Sequence, residues 1–506
     1  MLRKIRIAVA WVVFAAALLL VLDLTGALHG WLGWVARVQL VPAILAGNLI
    51  ALVVVGVLTL LFGRVYCSVL CPLGIAQDGI SWLSGRRKGK KARFSYTKPM
   101  SWLRYGLLTI FVVALVVGIG AVVSLLDPWG IFGRTASNLL APLWGWGNNA
   151  LAWVAERADS YAFHSREVWV RSWIVLSVTA ATFALIAVLA WRRGRTWCTK
   201  VCPVGTLLGL LSLAAPFRIR FDKSACTHCG VCEKKCKSGC IDSKTQTIDR
   251  TRCVVCFDCL DSCNFGAIKY GACGSKRGGS AKEAPDGGAP ERTSDKKGVS
   301  RRNFLAIAGA IAVANTVKAQ QLKVDGGLAE IEDKKRPVRK NPITPPGSKD
   351  ARNMKQHCVA CQLCVTACPN GVLVSSSRLA TLMQPEMTFE RGYCRPECVE
   401  CSEVCPAGAI ERISPADKSA ISVGNANYIA DNCVVGRDNL PCTACERHCP
   451  TKAITLVPRD PADPKSLKIP AIDNTLCIGC GACEYHCPAR PFAAIYVEGN
   501  VTHHSL

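Results

Sequence analysis

The sequence predicts a multi-domain protein: a four-helix transmembrane domain followed by small α+β domains organised around cysteine. Three observations lead there. Four long apolar runs all lie before residue 215. Most of the 30 cysteines lie beyond Cys202, in quartets of one repeated spacing. Between two groups of quartets, residues 274–299 are rich in Gly, Pro, Ser and charge, a composition that cannot bury a core and reads as a flexible linker.

The apolar runs cover residues 5–22, 40–62, 102–126 and 169–191. A helix needs about 20 mostly apolar residues to cross a hydrocarbon core of about 30 Å. Four such runs so close together fit a membrane domain over residues 1–215 better than a set of buried soluble helices. The net charge of +25 is placed in a way that argues against nucleic acid as a partner. Arg3, Lys4 and Arg6 precede the first run, and Arg86, Arg87, Lys88, Lys90, Lys91, Arg93 and Lys98 follow the second. Arg192, Arg193 and Arg195 follow the fourth, while the intervening loops carry few uncompensated cations. This is the asymmetry of cytoplasmic loops. A multi-pass protein of the bacterial inner membrane is expected, with both ends of the domain in the cytoplasm and the lipid bilayer as partner.

Each inward end carries the same phrase. Residues 63–74 read GRVYCSVLCPLG and residues 194–205 read GRTWCTKVCPVG. Two helices followed by a cysteine pair, twice over, form an internal repeat. Pseudo-two-fold packing would bring Cys67, Cys71, Cys198 and Cys202 together. Four thiols at one place suit an additional metal site or a redox-active dithiol; buried structural thiols fit the same pattern.

The quartets carry the strongest chemistry. CTHCGVCEKKC from Cys226 and CVVCFDCLDSC from Cys253 follow C-x2-C-x2-C-x3-C, the spacing that holds [4Fe–4S] clusters. Three cysteines on a short loop reach three irons; the fourth, a helical turn on, reaches the neighbouring cube. Cys226, Cys229, Cys232 and Cys263 are therefore expected to share one cluster, and Cys253, Cys256, Cys259 and Cys236 the other, in a ferredoxin domain over residues 216–273. Lys237 and Asn264 stand where a proline usually follows. Four more quartets, each followed by proline, fill residues 354–506. They are Cys358, Cys361, Cys364 and Cys368; Cys394, Cys398, Cys401 and Cys405; Cys433, Cys442, Cys445 and Cys449; Cys477, Cys480, Cys483 and Cys487. Apolar stretches after them suit the short strands of bacterial-ferredoxin-like domains. Zinc prefers separated C-x2-C knuckles and disulfides need particular Cα separations, so neither generates six repeats of one spacing. Six [4Fe–4S] clusters are expected, with Cys240 and Cys273 left without a role.

After the linker, Ser300, Arg301, Arg302, Asn303, Phe304 and Leu305 open a short apolar stretch that resembles a twin-arginine export signal or anchor over residues 300–320. Clusters are assembled in the cytoplasm, so a cluster-bearing domain bound for the outside needs a route for folded cargo. Residues 321–353 read as a second linker. Residues 321–506 are thus expected in the periplasm and 216–273 in the cytoplasm.

By these marks, residues 1–273 resemble the NapH membrane proteins of periplasmic nitrate reductase systems and the related NosR-type proteins. Residues 300–506 resemble NapG and its methylamine-utilisation relative MauM. The resemblance implies a component of a quinol dehydrogenase: a membrane-bound iron–sulfur protein relaying electrons from membrane quinol to a periplasmic redox partner, a cytochrome or a terminal reductase. It also implies nested pairing in the exported half. Cys358, Cys361 and Cys364 would then share a cluster with Cys487, and Cys477, Cys480 and Cys483 with Cys368. Cys394, Cys398 and Cys401 would pair with Cys449, and Cys433, Cys442 and Cys445 with Cys405. Sequential pairing stays open.

No phosphate-binding loop or dinucleotide fingerprint is present, and Gly118 and Gly120 lie in an apolar run, where they suit helix packing. A quinol site is expected, if anywhere, in the outward loop LLDPWGIFGR, where Asp127 accepts a proton and Trp129 and Arg134 frame a headgroup; a plain turn is the alternative. A helper in the assembly of a respiratory metalloenzyme is the rival function. The sequence leaves one gap, because no cofactor is evident between the inner clusters and the exported ones.

Overall fold

The computed structural model describes residues 1–23, 26–86, 94–160, 163–165, 168–272 and 332–506. The linker over 274–299, the signal over 300–320 and Cys273 lie outside the described residues.

Two of the four expected spans form helices long and apolar enough to cross a membrane, Leu2–Leu22 and Trp173–Arg193, of 21 residues each. The other two runs are divided. Residues 40–62 give Leu40–Leu45 and Leu49–Phe62, parted at Gly47, whose φ of +63° no continuing helix adopts. Asn48 then caps the second piece by accepting from the Ala51 N–H at 3.2 Å. Residues 102–126 give Ser101–Val117 and Gly120–Leu126, parted at Gly118 with φ +82°. Asp127 accepts from Gly130 N–H at 2.7 Å and opens a further helix, Pro128–Thr135. The four-helix expectation therefore meets two full-length helices and two of 14 and 17 residues.

The cysteine-rich segments form small units with two-stranded antiparallel sheets, as expected of ferredoxin-like folds. Arg218–Phe221 pairs with Ile268–Gly271 in the unit over residues 216–272, called inner after its place in the expected topology, with the unit over 332–506 called outer. In the other, Ile421–Tyr428 pairs with Ile495–Ser505, Ile454–Pro458 with Lys468–Ile472, and Leu373–Ser375 with Pro385–Met387. Residues 332–353, expected as linker, are part of that unit. Ile343 is fully buried, Arg339 pairs with Glu484 at 2.5 Å in the interior, and Lys334 Nζ donates to three carbonyls, those of Glu484, Tyr485 and Cys487.

The two units hold opposite ends of the same helices. At one end, Arg3 bonds Asp258 at 2.8 Å, Phe217 N–H donates to Leu61 O, Arg104 donates to Thr251 Oγ1 at 3.0 Å, and Arg195 N–H donates to Lys237 O. At the other, Gly26 lies against Glu400, Ala46 against Gly408, Gly118 against Gln356, and Val175 against Ala360 and Met383.

Candidate functional site

The quartets fold as cradles. In four of the six loops the residues two and four beyond the first cysteine take positive φ: His228 and Gly230, Val255 and Phe257, Ala360 and Gln362, Gly479 and Gly481. This turns the loop around a centre with backbone N–H groups facing inward. Small cavities are lined by Cys226, Cys229, Cys232 and Cys263; by Cys358, Cys361, Cys364 and Cys405; by Cys394, Cys398, Cys401 and Cys368; and by Cys433, Cys442, Cys445 and Cys487. The remaining sulfurs face one another as Cys253, Cys256 and Cys259 with Cys236, and as Cys477, Cys480 and Cys483 with Cys449.

In the inner unit Cys263 lines the cavity of the Cys226 loop, and Cys236 faces the sulfurs of the Cys253 loop. The outer unit does not follow the nested pattern that the resemblance implied. Neighbouring quartets exchange their fourth cysteines, first with second and third with fourth. The physical reason is chain reach, because each fourth cysteine ends the short helix of the adjacent loop and lies beside the next loop in the fold.

The donor set suits cubes. Every described cysteine is unbridged. Among the described residues no three Cys, His, Asp or Glu side chains converge closely enough for a single metal ion, as expected of ligands spaced for the corners of a larger cluster. Burial pushes the Cys361 and Cys480 thiols up to about 12, with neighbouring sulfurs adding to the rise. Bare thiolates are costly there, and iron charge would offset that cost.

Several groups stand beside the cradles in roles that sequence reasoning did not assign. Cys240 is buried with its sulfur 3.5 Å from that of Cys236, and this hydrogen bond brings Cys236 down to about 7. Lys418 is buried, and its ammonium donates to the carbonyls of Arg395 and Cys398. Arg134 lies within Coulombic reach of Cys358 and Cys361. None has a motif; each becomes visible only when distant segments meet.

The C-x3-C-P pairs do converge. Arg64 Nη2 donates to Cys198 O at 3.1 Å and Arg195 Nη1 to Cys67 O at 2.7 Å, so each repeat's arginine clasps the other repeat. A Cβ on Gly74 would stand 2.5 Å from Cys67 O, and one on Gly205 2.4 Å from Cys198 O, which is why both phrases end in glycine. Cys71 lies within Coulombic reach of Cys67, Cys198 and Cys202. Gln77 Nε2 donates to the Cys198 sulfur at 3.2 Å and Gly205 N–H to that of Cys202 at 3.4 Å. Below them Asp78 bonds Arg6 at 2.6 Å and Arg195 at 2.7 Å. Burial alone would raise this carboxyl; Arg195, Lys237 and Arg6 more than reverse that and hold it well below the usual carboxylate range. Lys237, in the place of the expected proline, also reaches Asp258 at 2.9 Å and so ties the inner unit to the repeat.

Asp127, Trp129 and Arg134 are nearly fully buried and line none of the cavities described. They sit under the Cys358–Cys364 loop, where a Cβ on Gly130 would lie 2.4 Å from Val359 O and one on Gly133 2.3 Å from Cys361 O. The segment expected to frame a quinol is instead packed backbone to backbone against a cluster loop. Ser137 and Asn138, one turn on, hold Gln362 Oε1 at 2.8 and 2.7 Å.

Comparison with known proteins agrees with these cradles. A 4Fe-4S binding domain family matches residues 44–91 and 176–222, one copy on each half of the internal repeat, and a 4Fe-4S dicluster domain family matches residues 440–490. The methylamine utilization ferredoxin-type protein MauM of Paracoccus denitrificans is 32% identical over 195 residues, 37% of this chain and 83% of that protein. The chain belongs to the NapH/MauM-type iron–sulfur proteins. The ferredoxin-type protein NapH of Haemophilus influenzae is 24% identical over 230 residues, 44% of this chain and 66% of that protein. YccM of Escherichia coli is 26% identical over 250 residues, 47% of this chain, which spans 61% of YccM's length. No solved structure matches the chain. The dicluster match holds the third and fourth quartets in one domain apart from Cys433, in keeping with the sequential pairing seen in the fold. This NapH/MauM-type chain is an iron–sulfur electron-transfer protein of ferredoxin type.

Proposed function

We propose that this protein is a four-span relay of the bacterial inner membrane that carries electrons from membrane quinol to an acceptor on the far side. One observation carries the proposal: all four principal helices touch the 216–272 unit at one end and the 332–506 unit at the other. Helices of 14 and 17 residues, each joined to a second short helix, reach as far as the two of 21 residues. Among the described residues, the cations Arg3 and Arg195 lie on the side of the 216–272 unit, which supports a cytoplasmic place for it and a periplasmic place for the other.

Six [4Fe–4S] clusters in the six cradles would supply one-electron chemistry. The chain's own residues hold them, shield them from water and set the charge around them. Arg134 faces Cys358 and Cys361, so its guanidinium stabilises added negative charge there. The four thiols of Cys67, Cys71, Cys198 and Cys202 form a further redox site between the units. Arg195 lies within Coulombic reach of Cys256 on one side of it, and Tyr66 within reach of Asp127 on the other. A site so placed narrows the gap between the inner and outer clusters.

The test is anaerobic purification of the full chain with iron analysis, then addition of a reduced menaquinone analogue. About 24 Fe per chain from six cubes and bleaching of the cluster absorbance by the quinol are expected. Zinc in place of iron, or a full iron complement that quinol never reduces, overturns the relay.

A further inference from the structure

The largest cavity described, about 350 Å³, lies where the membrane half meets the outer unit. Its volume is within the range of small-molecule sites, about 300–1,000 Å³. Apolar walls come from Ala141, Pro142 and Gly145 on the helix Ala141–Arg157, and from Leu176 on Trp173–Arg193. The outer faces of those helices expose Leu143, Trp144, Trp146, Trp173 and Ile174, which puts the cavity at the edge of the apolar layer. Its floor is the cluster loop itself, with Cys368 and Pro369 in the lining.

We infer that this cavity is the quinol oxidation site, with the Cys368, Cys394, Cys398 and Cys401 centre as the immediate electron acceptor. The inference rests on the quinol-relay reading above and gives it a location. An apolar ring fits the walls, and a lipid-soluble donor enters from the side on which those helices are bare. Polar side chains also line it, among them Asp23, Asn138, Arg171 and Glu400. Asp23 is buried and its Oδ2 lies 3.3 Å from His29 Nδ1, a carboxylate–imidazole pair whose carboxylate lines the cavity. Both quinol O–H bonds break and the ring becomes quinone. One proton leaves through Asp23 and His29 and the other to water at the outer surface. A cluster held by Cys368, Cys394, Cys398 and Cys401 would take the electrons one at a time, passing the first to a neighbouring cluster before it accepts the second.

The experiment titrates a hydroxyquinoline N-oxide, a quinol mimic, into the detergent-solubilised holoprotein and follows quenching of its fluorescence. Ala141→Phe fills the cavity without touching a cysteine. It is expected to weaken binding at least about tenfold, a loss of about 1.4 kcal/mol, with iron content and dithionite-reducible absorbance unchanged. Leu176→Trp, a second variant, should do the same from the wall on the Trp173–Arg193 helix. If both variants retain iron and bind the mimic as the parent does, the cavity is not the site, and quinol-driven reduction by the parent would still uphold the relay. If the parent neither binds the mimic nor is reduced by quinol, the relay itself fails.

Discussion

Gly133 and Gly147 allow the docking of the outer unit to be weighed directly. Both are helical, so replacing either with alanine gains the same helix propensity, about 0.8–1 kcal/mol. Their surroundings differ. A Cβ at Gly147 meets nothing within 4 Å, whereas one at Gly133 would lie 2.3 Å from Cys361 O and 3.1 Å from its carbonyl carbon. Ordinary contact needs about 3.5 Å, so the Pro128–Thr135 helix and the cluster loop must part by about 1 Å. Overpacking of this kind costs about 1–3 kcal/mol. Because the propensity terms cancel, that cost is the difference between the two variants. It corresponds to a docking equilibrium about 5- to 140-fold weaker for Gly133→Ala. At roughly 2–4 °C per kcal/mol for a unit of this size, Gly133→Ala should melt about 2–12 °C below Gly147→Ala in detergent. It should also lose quinol-driven reduction of the outer clusters. Equal melting temperatures and equal reduction would refute the claim that the two halves meet backbone to backbone at this helix.

Two further outcomes are expected. Cys405→Ser and Cys358→Ser should each remove about 4 Fe, and the double variant no more than either alone, because both sulfurs line one cavity; a loss of about 8 Fe would restore nested pairing. The second concerns pH. Burial lowers His503 to about 4 while its Nε2 shares a hydrogen bond of 2.9 Å with Thr344 Oγ1, and Asp350 and His504 also act on it. A histidine depressed on folding contributes stability that is present above its unfolded pKa of about 6.5 and lost as pH falls toward the folded value. Between pH 7.5 and 5.5 the parent should lose about 1.4 kcal/mol that His503→Gln keeps, read as a narrowing gap between their melting temperatures; a gap independent of pH would contradict this.

Of the candidate sites, the cradles were the most legible. Cysteine spacing survives any packing, because the loop that brings three sulfurs around one centre is local. The pairing of the outer quartets was not legible. Which fourth cysteine lies beside which loop depends on how quartets tens of residues apart are folded together, and spacing within a quartet says nothing of that. The role of Lys237 was hidden for the same reason: only Asp78 and Asp258, both distant in sequence, explain a lysine where proline was expected. Asp127, Trp129 and Arg134 were picked out because they stand together in an outward loop. Burial then turned the loop into a platform for the Cys358–Cys364 segment, and the open cavity formed beside it.

By itself the sequence determined what depends on neighbours along the chain: apolar runs, the cation bias of the loops, the repeated cysteine phrase and the local geometry of each cluster loop. Tertiary structure alone decided where two apolar runs break, which sulfurs meet across quartets, and that both ferredoxin-like units grip opposite ends of one helix bundle. Local backbone preferences are written within a few residues of where they act. Contacts such as Gly133 against Cys361 join residues with no relation in sequence, and close packing of the whole chain selects them.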